Sequence, residues 1–367
     1  MSAERIRVLV VDDSAVIRRL VTEILDDDPR VEVAGVARNG RIALEKIAEL
    51  KPDAVTMDIE MPEMDGISAV RELRKQHPRL PVVMFSTLTE RGASSTLDAL
   101  AAGASDYVTK PSNVGSVTES RKNIREQLVP KLIALTGASR VLASMPVQAA
   151  KPVAAQPRPG MRMTPFEILA IGSSTGGPDA LATVLRGLPA SLPVPVVIVQ
   201  HMPPLFTATL AARLNSLCPL TVSEAKEGDA VRAGSVLIAP GGFHLEVRRT
   251  AGQLRAHLTE DPPENYCRPA VDVLFRSVAA TFGSGVLGLV LTGMGRDGAS
   301  GAEVIRRAGG HVFAQDQATS VVWGMPGAVA TAGQADRIVP LPEVAQVLST
   351  TLARTPARQP AASGGAS

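Results

Sequence analysis

Short runs of β-branched and aliphatic residues recur along this chain at a spacing that leaves room for one amphipathic helix between each pair. That alternation limits the fold more than any other feature. In the first part the runs are residues 8–11, 31–37, 54–57, 82–85 and 107–109; in the second they are 167–171, 194–200, 235–239, 286–291 and 311–314. Strands separated by helices return in the same direction, so each series predicts a parallel, doubly wound α/β sheet. The first intervening stretch shows the helical period. Val16, Leu20 and Ile24 join Ile17, Val21 and Leu25 on one broad apolar face, with Arg18, Arg19, Glu23 and Asp26 opposite.

Two such series suit a length of 367 residues, more than one domain of roughly 100 to 200 residues accounts for. Between them, residues 139–163 turn to Ala, Pro, Gln and basic residues, with Pro146, Pro152, Pro157 and Pro159 and no acidic side chain. A linker is expected there. Residues 355–367 are rich in Ala, Pro, Gly and Ser and are expected to be a disordered tail. The division is therefore 1–138, 139–163, 164–354 and 355–367. Aromatic residues make up only 3% of the chain, so aliphatic side chains must fill both cores.

A net charge of +2 from 38 basic and 36 acidic residues gives no global attraction to nucleic acid or anionic membrane. The two cysteines, Cys218 and Cys267, form neither a disulfide framework nor a metal-spaced pair. The start, Met-Ser-Ala-Glu-Arg, leads straight into a short strand, unlike a signal peptide, and no run of about 20 apolar residues follows that could span a bilayer. A soluble, cytoplasmic protein without membrane insertion is expected.

In doubly wound sheets, ligands bind outside the carboxyl ends of the strands. In the first series those ends carry Asp12 and Asp13, then Asp58, then Ser86 and Thr87, then Lys110. A single aspartate there is also the usual cap of a following helix. Three crowded carboxylates, however, suit a hard divalent cation such as Mg²⁺, and a lysine with a hydroxyl suits transferred phosphoryl oxygens. Around these positions V-D-D-S, M-D-I-E-M-P-E-M-D-G, F-S-T and G-A-S-D-Y-V-T-K-P resemble response-regulator receiver domains over roughly residues 4–125. The resemblance implies a flavodoxin-like fold in which Asp58 accepts phosphate from a histidine kinase. It further implies Mg²⁺ held by Asp12, Asp13 and Asp58 with Glu60, a phosphoryl contact from Lys110, and Ser86 with Tyr107 as the switch; Thr87 is the rival hydroxyl.

In the second series a strand runs into Gly172-Ser173-Ser174-Thr175-Gly176-Gly177 and then a helix. A strand, tight turn and helix can lift a serine above a sheet. A phosphate cradle is the competing reading, but the next strand ends in Gln200-His201 where a dinucleotide site has an acidic residue. Centred on Ser174, the turn offers a nucleophile that needs a base. His201, ending the next strand, supplies one, and Asp297, in the glycine-rich turn after residues 286–291, can orient it. His244 is a rival base, and Asp272 and Asp316 are weaker candidates for the acid. The order Ser, His, Asp differs from that of α/β-hydrolases.

Together A-I-G-S-S-T-G-G, V-Q-H-M-P-P, I-A-P-G-G, Y-C-R-P-A-V-D-V-L-F, L-T-G-M-G-R-D-G-A and V-W-G-M-P-G-A resemble the catalytic domain of the chemotaxis methylesterase family CheB across about residues 164–350. The resemblance implies a Rossmann-like, mostly parallel esterase domain. In it Ser174, His201 and Asp297 form the triad, the N–H groups of Thr175 and Met294 form the oxyanion hole, and Arg268 contacts substrate. It implies hydrolysis of glutamate γ-methyl esters on methyl-accepting chemoreceptors, deamidation of receptor glutamines, and no cofactor for the esterase. Ser173 stands where alanine is usual, and Cys267 and Ala270 also depart from the pattern. A DNA-binding regulator is the rival class; it needs a basic recognition helix, and no helix-turn-helix pattern follows the linker.

Overall fold

The computed structural model describes residues 5–110, 117–144 and 165–353. Its first unit is the expected alternation: β1 (Ile6–Val11), α1 (Ala15–Asp26), β2 (Val31–Ala37), α2 (Gly40–Leu50), β3 (Ala54–Asp58), α3 (Gly66–Gln76), β4 (Val82–Ser86), α4 (Glu90–Ala101), β5 (Asp106–Thr109) and α5 (Val117–Ser144). The five strands pair in parallel in the order β2-β1-β3-β4-β5. β3 and β4 are buried along their whole length because helices cover both faces of the sheet. Ser14, Asn39, Asp65 and Thr89 each open a helix by accepting from the backbone N–H three residues on. Ser14, not Asp12 or Asp13, is therefore the cap of α1.

The second unit runs β6 (Ile168–Ser173), α6 (Gly177–Arg186), β7 (Val196–Gln200), α7 (Phe206–Leu217), β8 (Thr221–Glu224), β9 (Ser235–Ile238), β10 (His244–Thr250), β11 (Gln253–Thr259), α8 (Val271–Phe282), β12 (Val286–Val290), α9 (Ala299–Arg307), β13 (His311–Gln315), α10 (Met325–Thr331), β14 (Arg337–Val339) and α11 (Leu341–Ala353). Seven strands form one parallel sheet in the order β14-β13-β12-β6-β7-β9-β8. The five strands read from the sequence are its centre. The edge strands β8 and β14 span only 4 and 3 residues with exposed positions in each, too short to leave a pattern. β10 and β11 make a separate antiparallel hairpin, whose Leu245, Val247 and Ala256 join α8 in one apolar cluster.

Helix α5 continues to Ser144, so residues 139–144, compositionally part of the linker, are helical. Residues 145–163 of that stretch and the tail at 355–367 lie outside the described residues. Among the described residues no helix is long and apolar enough to cross a membrane.

The side of the second sheet that α8 covers includes Phe275, which is fully buried in one apolar cluster with Ile168, Val290 and Ile305. Removing a buried ring costs the lost transfer energy plus that of the cavity. Phe275→Ala is expected to destabilise the second unit by about 3–5 kcal/mol. Denaturant unfolding followed by circular dichroism checks this, and an unchanged midpoint contradicts it.

Candidate active site

Strand order reverses between β12 and β6, and such a switch point opens a crevice at the carboxyl ends of the strands. Ser174 follows β6, His201 follows β7 and Asp297 lies in the turn after β12, so the topology gathers all three residues proposed from the sequence. His201 Nε2 meets Asp297 Oδ2 at 2.8 Å. Nδ1 is thereby left on the other side of the ring, where it contacts the Cys267 thiol at 3.5 Å. Ser174 and His201 line one cavity.

The turn that carries Ser174 is built by close approach. Its peptide is held by Ser174 N–H to Thr292 O at 3.0 Å and by Gly177 N–H to Ser174 O at 2.7 Å. A Cβ on Gly177 would lie 1.9 Å from Gln200 Oε1, so a side chain there would displace the Gln200 amide from Ser173. Ser173 is fully buried and donates to Gln200 Oε1 at 2.7 Å, which removes it as a nucleophile and leaves the half-buried Ser174. Neither the N–H of Thr175 nor that of Met294 donates to a backbone carbonyl among the described residues.

Asp297 is almost fully buried, and a buried carboxylate needs several donors. Its Oδ2 also accepts from Val271 N–H at 2.6 Å; its Oδ1 accepts from Asp272 N–H at 3.0 Å, Gly298 N–H at 3.0 Å and Asn265 Nδ2 at 2.9 Å. Val271 and Asp272 open α8, so the carboxylate satisfies free amides at the positive end of a helix. Burial works against its charge, but His201 and these N–H groups hold the Asp297 carboxyl below the usual range. Burial also opposes charge on His201; Asp297 and the Cys267 thiol outweigh it and raise the imidazole above an ordinary histidine. The sequence could not point to Asn265 or the α8 amides, because their role depends on a loop folding back across the sheet.

The rival residues are otherwise engaged. His244 is buried, accepting at Nδ1 from Ala270 N–H at 3.2 Å and facing Pro262 O through Nε2 at 3.2 Å. Asp272 takes Gly301 N–H and Asn265, while Asp316 takes Thr319 N–H. Arg268 donates to the carbonyls of Glu260 and Asp261 at 2.6 and 3.1 Å. Its guanidinium thus braces its own loop.

The first unit covers this site. Asp106 Oδ2 accepts from the Thr175 hydroxyl at 2.5 Å, and Lys131 Nζ holds the other oxygen of Asp106 at 2.9 Å. The Tyr107 ring stacks on Phe206 with 4.8 Å between centroids and 3° between planes. Arg213 pairs with Asp98 at 2.6 Å. What remains at the serine is a cavity of about 20 Å³, closed by Leu100, Asp106, Tyr107 and Lys131. That holds about one water and no ester side chain.

On the first unit, Asp12, Asp13 and Asp58 bring one oxygen each within 4.8 Å of one another. Lys110 Nζ lies 2.8 Å from Asp58 Oδ1 and 3.0 Å from Asp12 Oδ2, the latter without the geometry of a hydrogen bond. An oxygen-only set with a buried, unsatisfied carboxylate oxygen fits a hard divalent cation. Burial, with repulsion from Asp12, pushes Asp58 up to about 6 against the pull of Lys110. Glu60 borders the same cavity, but its carboxylate faces Arg91 at 3.5 Å, outside the three-aspartate group. Ser86 is buried, donating to Gly92 O at 3.1 Å and accepting from Thr96 at 2.6 Å, whereas Thr87 is exposed.

A phosphoacceptor-type sheet closing the serine site of a second sheet defines a regulated signalling hydrolase. Family models agree: residues 169–348 match the CheB methylesterase domain and residues 8–121 the response regulator receiver domain. The chain is 57% identical over 358 residues to a protein-glutamate methylesterase/protein-glutamine glutaminase of a Nocardioides strain, covering 95% of this chain and 96% of that protein. It is 49% identical over 349 residues to one of the same name from Trichodesmium erythraeum, covering 93% and 97%. The crystal structure of the Thermotoga maritima CheB methylesterase catalytic domain is similar with a TM-score of 0.50 and 43% identity, covering 50% of this chain and 98% of that one. The chain belongs to the CheB family of receiver-linked protein-glutamate methylesterases.

Ser174→Ala is expected to lower ester hydrolysis by about four orders of magnitude or more, because the triad acts as a unit. Ser173→Ala, losing one buried hydrogen bond, should cost less than about tenfold. The reverse result moves the nucleophile by one residue. Because the rate requires neutral imidazole, kcat/KM should fall as pH drops through a His201 pKa above the ordinary ~6.5. Asp297→Ala should shift that limb to lower pH.

Proposed function

We propose that this protein is a phosphorylation-regulated serine esterase that removes methyl groups from glutamate γ-esters on chemotaxis receptors. The observation that carries the reading is the pair His201 Nε2–Asp297 Oδ2 at 2.8 Å, set beside Ser174 at the switch point of the sheet. Ser174 Oγ attacks the ester carbonyl carbon as its proton passes to His201 Nδ1, and the N–H groups of Thr175 and Met294 receive the oxyanion. The intermediate collapses, methoxide takes the proton from His201, and methanol leaves an acyl-serine. Water, deprotonated by His201, attacks that ester, and Ser174 regains its proton as glutamate departs. With a γ-amide the same steps release ammonia.

In the first unit, Asp12, Asp13 and Asp58 would hold Mg²⁺, which supplies charge neutralisation for phosphoryl transfer. A histidine kinase donates to Asp58, and Lys110 compensates the added charge. Ser86 then turns from the Gly92 carbonyl and Thr96 toward the phosphoryl group, which loosens the start of α4. Helix α4 carries Asp98, the partner of Arg213, and Tyr107 on the neighbouring strand stacks on Phe206. Weakening this face uncovers the serine site, a population shift of a docked pair whose linker keeps the local concentration high.

Two experiments test this. Asp58→Asn should take up no label from a small phosphodonor with Mg²⁺; wild-type labelling refutes the assignment. Arg213→Asp places like charges opposite Asp98 and should raise the unphosphorylated rate of methanol release from methylated receptor. Each ~1.4 kcal/mol of docking lost gives about tenfold while the closed form dominates. A rate equal to wild type, with both proteins folded, contradicts inhibition through this face.

A further inference from the structure

Residues 264–267 make a tight turn closed from both sides, by Glu264 N–H to Cys267 O at 3.1 Å and Cys267 N–H to Glu264 O at 2.9 Å. Its two central residues, Asn265 and Tyr266, have φ of 52° and 63°. Positive φ at both is the signature of a type I′ turn, where asparagine is favoured first and glycine second. Here the second place holds tyrosine, which is strained in that conformation. The frame is rigid. Asn265 bonds both Asp297 and Asp272, Glu264 makes a two-point pair with Arg276 at 2.7 and 2.5 Å, and Cys267 sits at His201 Nδ1. Tyr266 thus stands between the neighbour of the base and the anchor of the acid.

The ring gains nothing from the fold. Tyr266 is 103% exposed, so its whole surface faces water. Strain persists where it serves a site, and a large aromatic held out beside reacting groups matches that case. Two further exposed apolar side chains belong to segments that carry or touch the site residues. Val321 lies against the nucleophile turn, where a Cβ on Gly176 would be 2.6 Å from its Cγ2; Leu205, also at positive φ, 71°, follows His201 by four residues. The first unit covers the Ser174 flank and leaves Tyr266 open.

We propose that Tyr266 is a specificity-determining contact for the protein substrate, packing on the polypeptide that flanks the reacting glutamyl ester, with Val321 and Leu205 as the apolar border. This rests on the esterase reading above. A rigid aromatic buries much area at little entropic cost, which is why tyrosines dominate contact energies at protein surfaces. The turn fixes the direction in which the Tyr266 side chain leaves the backbone before the substrate arrives. A small ester has no flanking chain and cannot use it.

The test uses the full chain activated with a phosphodonor, in wild-type, Tyr266→Gly and Tyr266→Phe forms. The substrates are a methylated receptor cytoplasmic fragment and a soluble N-acyl glutamate γ-methyl ester. Glycine suits the turn, so Tyr266→Gly should melt above wild type, which excludes misfolding as the cause of any loss. The expected result is a KM for the receptor fragment raised about tenfold in Tyr266→Gly, the effect being confined to KM. The preference for the protein over the small ester falls by the same factor, and Tyr266→Phe keeps most of it. Wild-type KM in Tyr266→Gly overturns the inference alone. Methanol release from the small ester but none from the receptor, in the wild-type protein, overturns the substrate reading and this inference with it.

Discussion

A carboxylate buried without donors neutralises or unfolds its surroundings, and Asp297 is the group on which the catalytic unit turns. Five donors converge on its two oxygens: His201, the opening amides of α8, its own neighbour Gly298 and the Asn265 side chain. Three of the donor groups lie far from Asp297 in the chain, so one charge fixes the imidazole, the start of a helix and the 264–267 turn at once. The same convergence sets the chemistry. A carboxyl held ionised keeps the Nε2 proton on its side of the ring and leaves Nδ1 as the acceptor nitrogen, beside the Cys267 thiol.

The first unit solves a related problem in the opposite way. Asp12, Asp13 and Asp58 lack enough donors; Lys110 alone bridges two of them, and Asp58 is raised rather than lowered. That shortfall of donors fits the pocket to a hard cation. Short contacts lead away from the pocket: Ser86 bonds Thr96 of α4, and β5 carries both Asp106 and Tyr107. Two adjacent residues of β5 thus do two tasks: Asp106 engages the Thr175 hydroxyl and Tyr107 stacks on Phe206. An aromatic stack is worth about 0.5–1.5 kcal/mol beyond its buried area. Contacts of this size are strong enough to close a tethered interface and weak enough to be released.

Much of this was legible in the residues. Parallel strands buried on both faces are written as unbroken apolar runs, and the polar groups at their carboxyl ends follow those runs directly, as with Asp58, Ser174 and His201. Reading failed where the signal was short or depended on distance. β8 and β14 are too brief for a pattern, and the helical residues 139–144 have a linker's composition but continue α5. Glu60 and Arg268 were read from motif positions, and only the structure gives their side-chain partners, Arg91 and the carbonyls of Glu260 and Asp261. A motif gives the residue and not the direction of its side chain.

The sequence by itself determined two doubly wound sheets and the identities of the groups at their strand ends, because period and strand-end position are local properties of the chain. Only the tertiary structure decided that Ser173 is locked on Gln200 while Ser174 faces the cavity, that Asn265 and α8 complete the shell of Asp297, and that Asp106 and Tyr107 close the serine site. Each of those joins residues far apart in the chain, Thr175 and Asp106 by 69 positions and His201 and Asp297 by 96. No local pattern encodes such a pairing. It follows from where the sheets reverse and how one unit packs on the other.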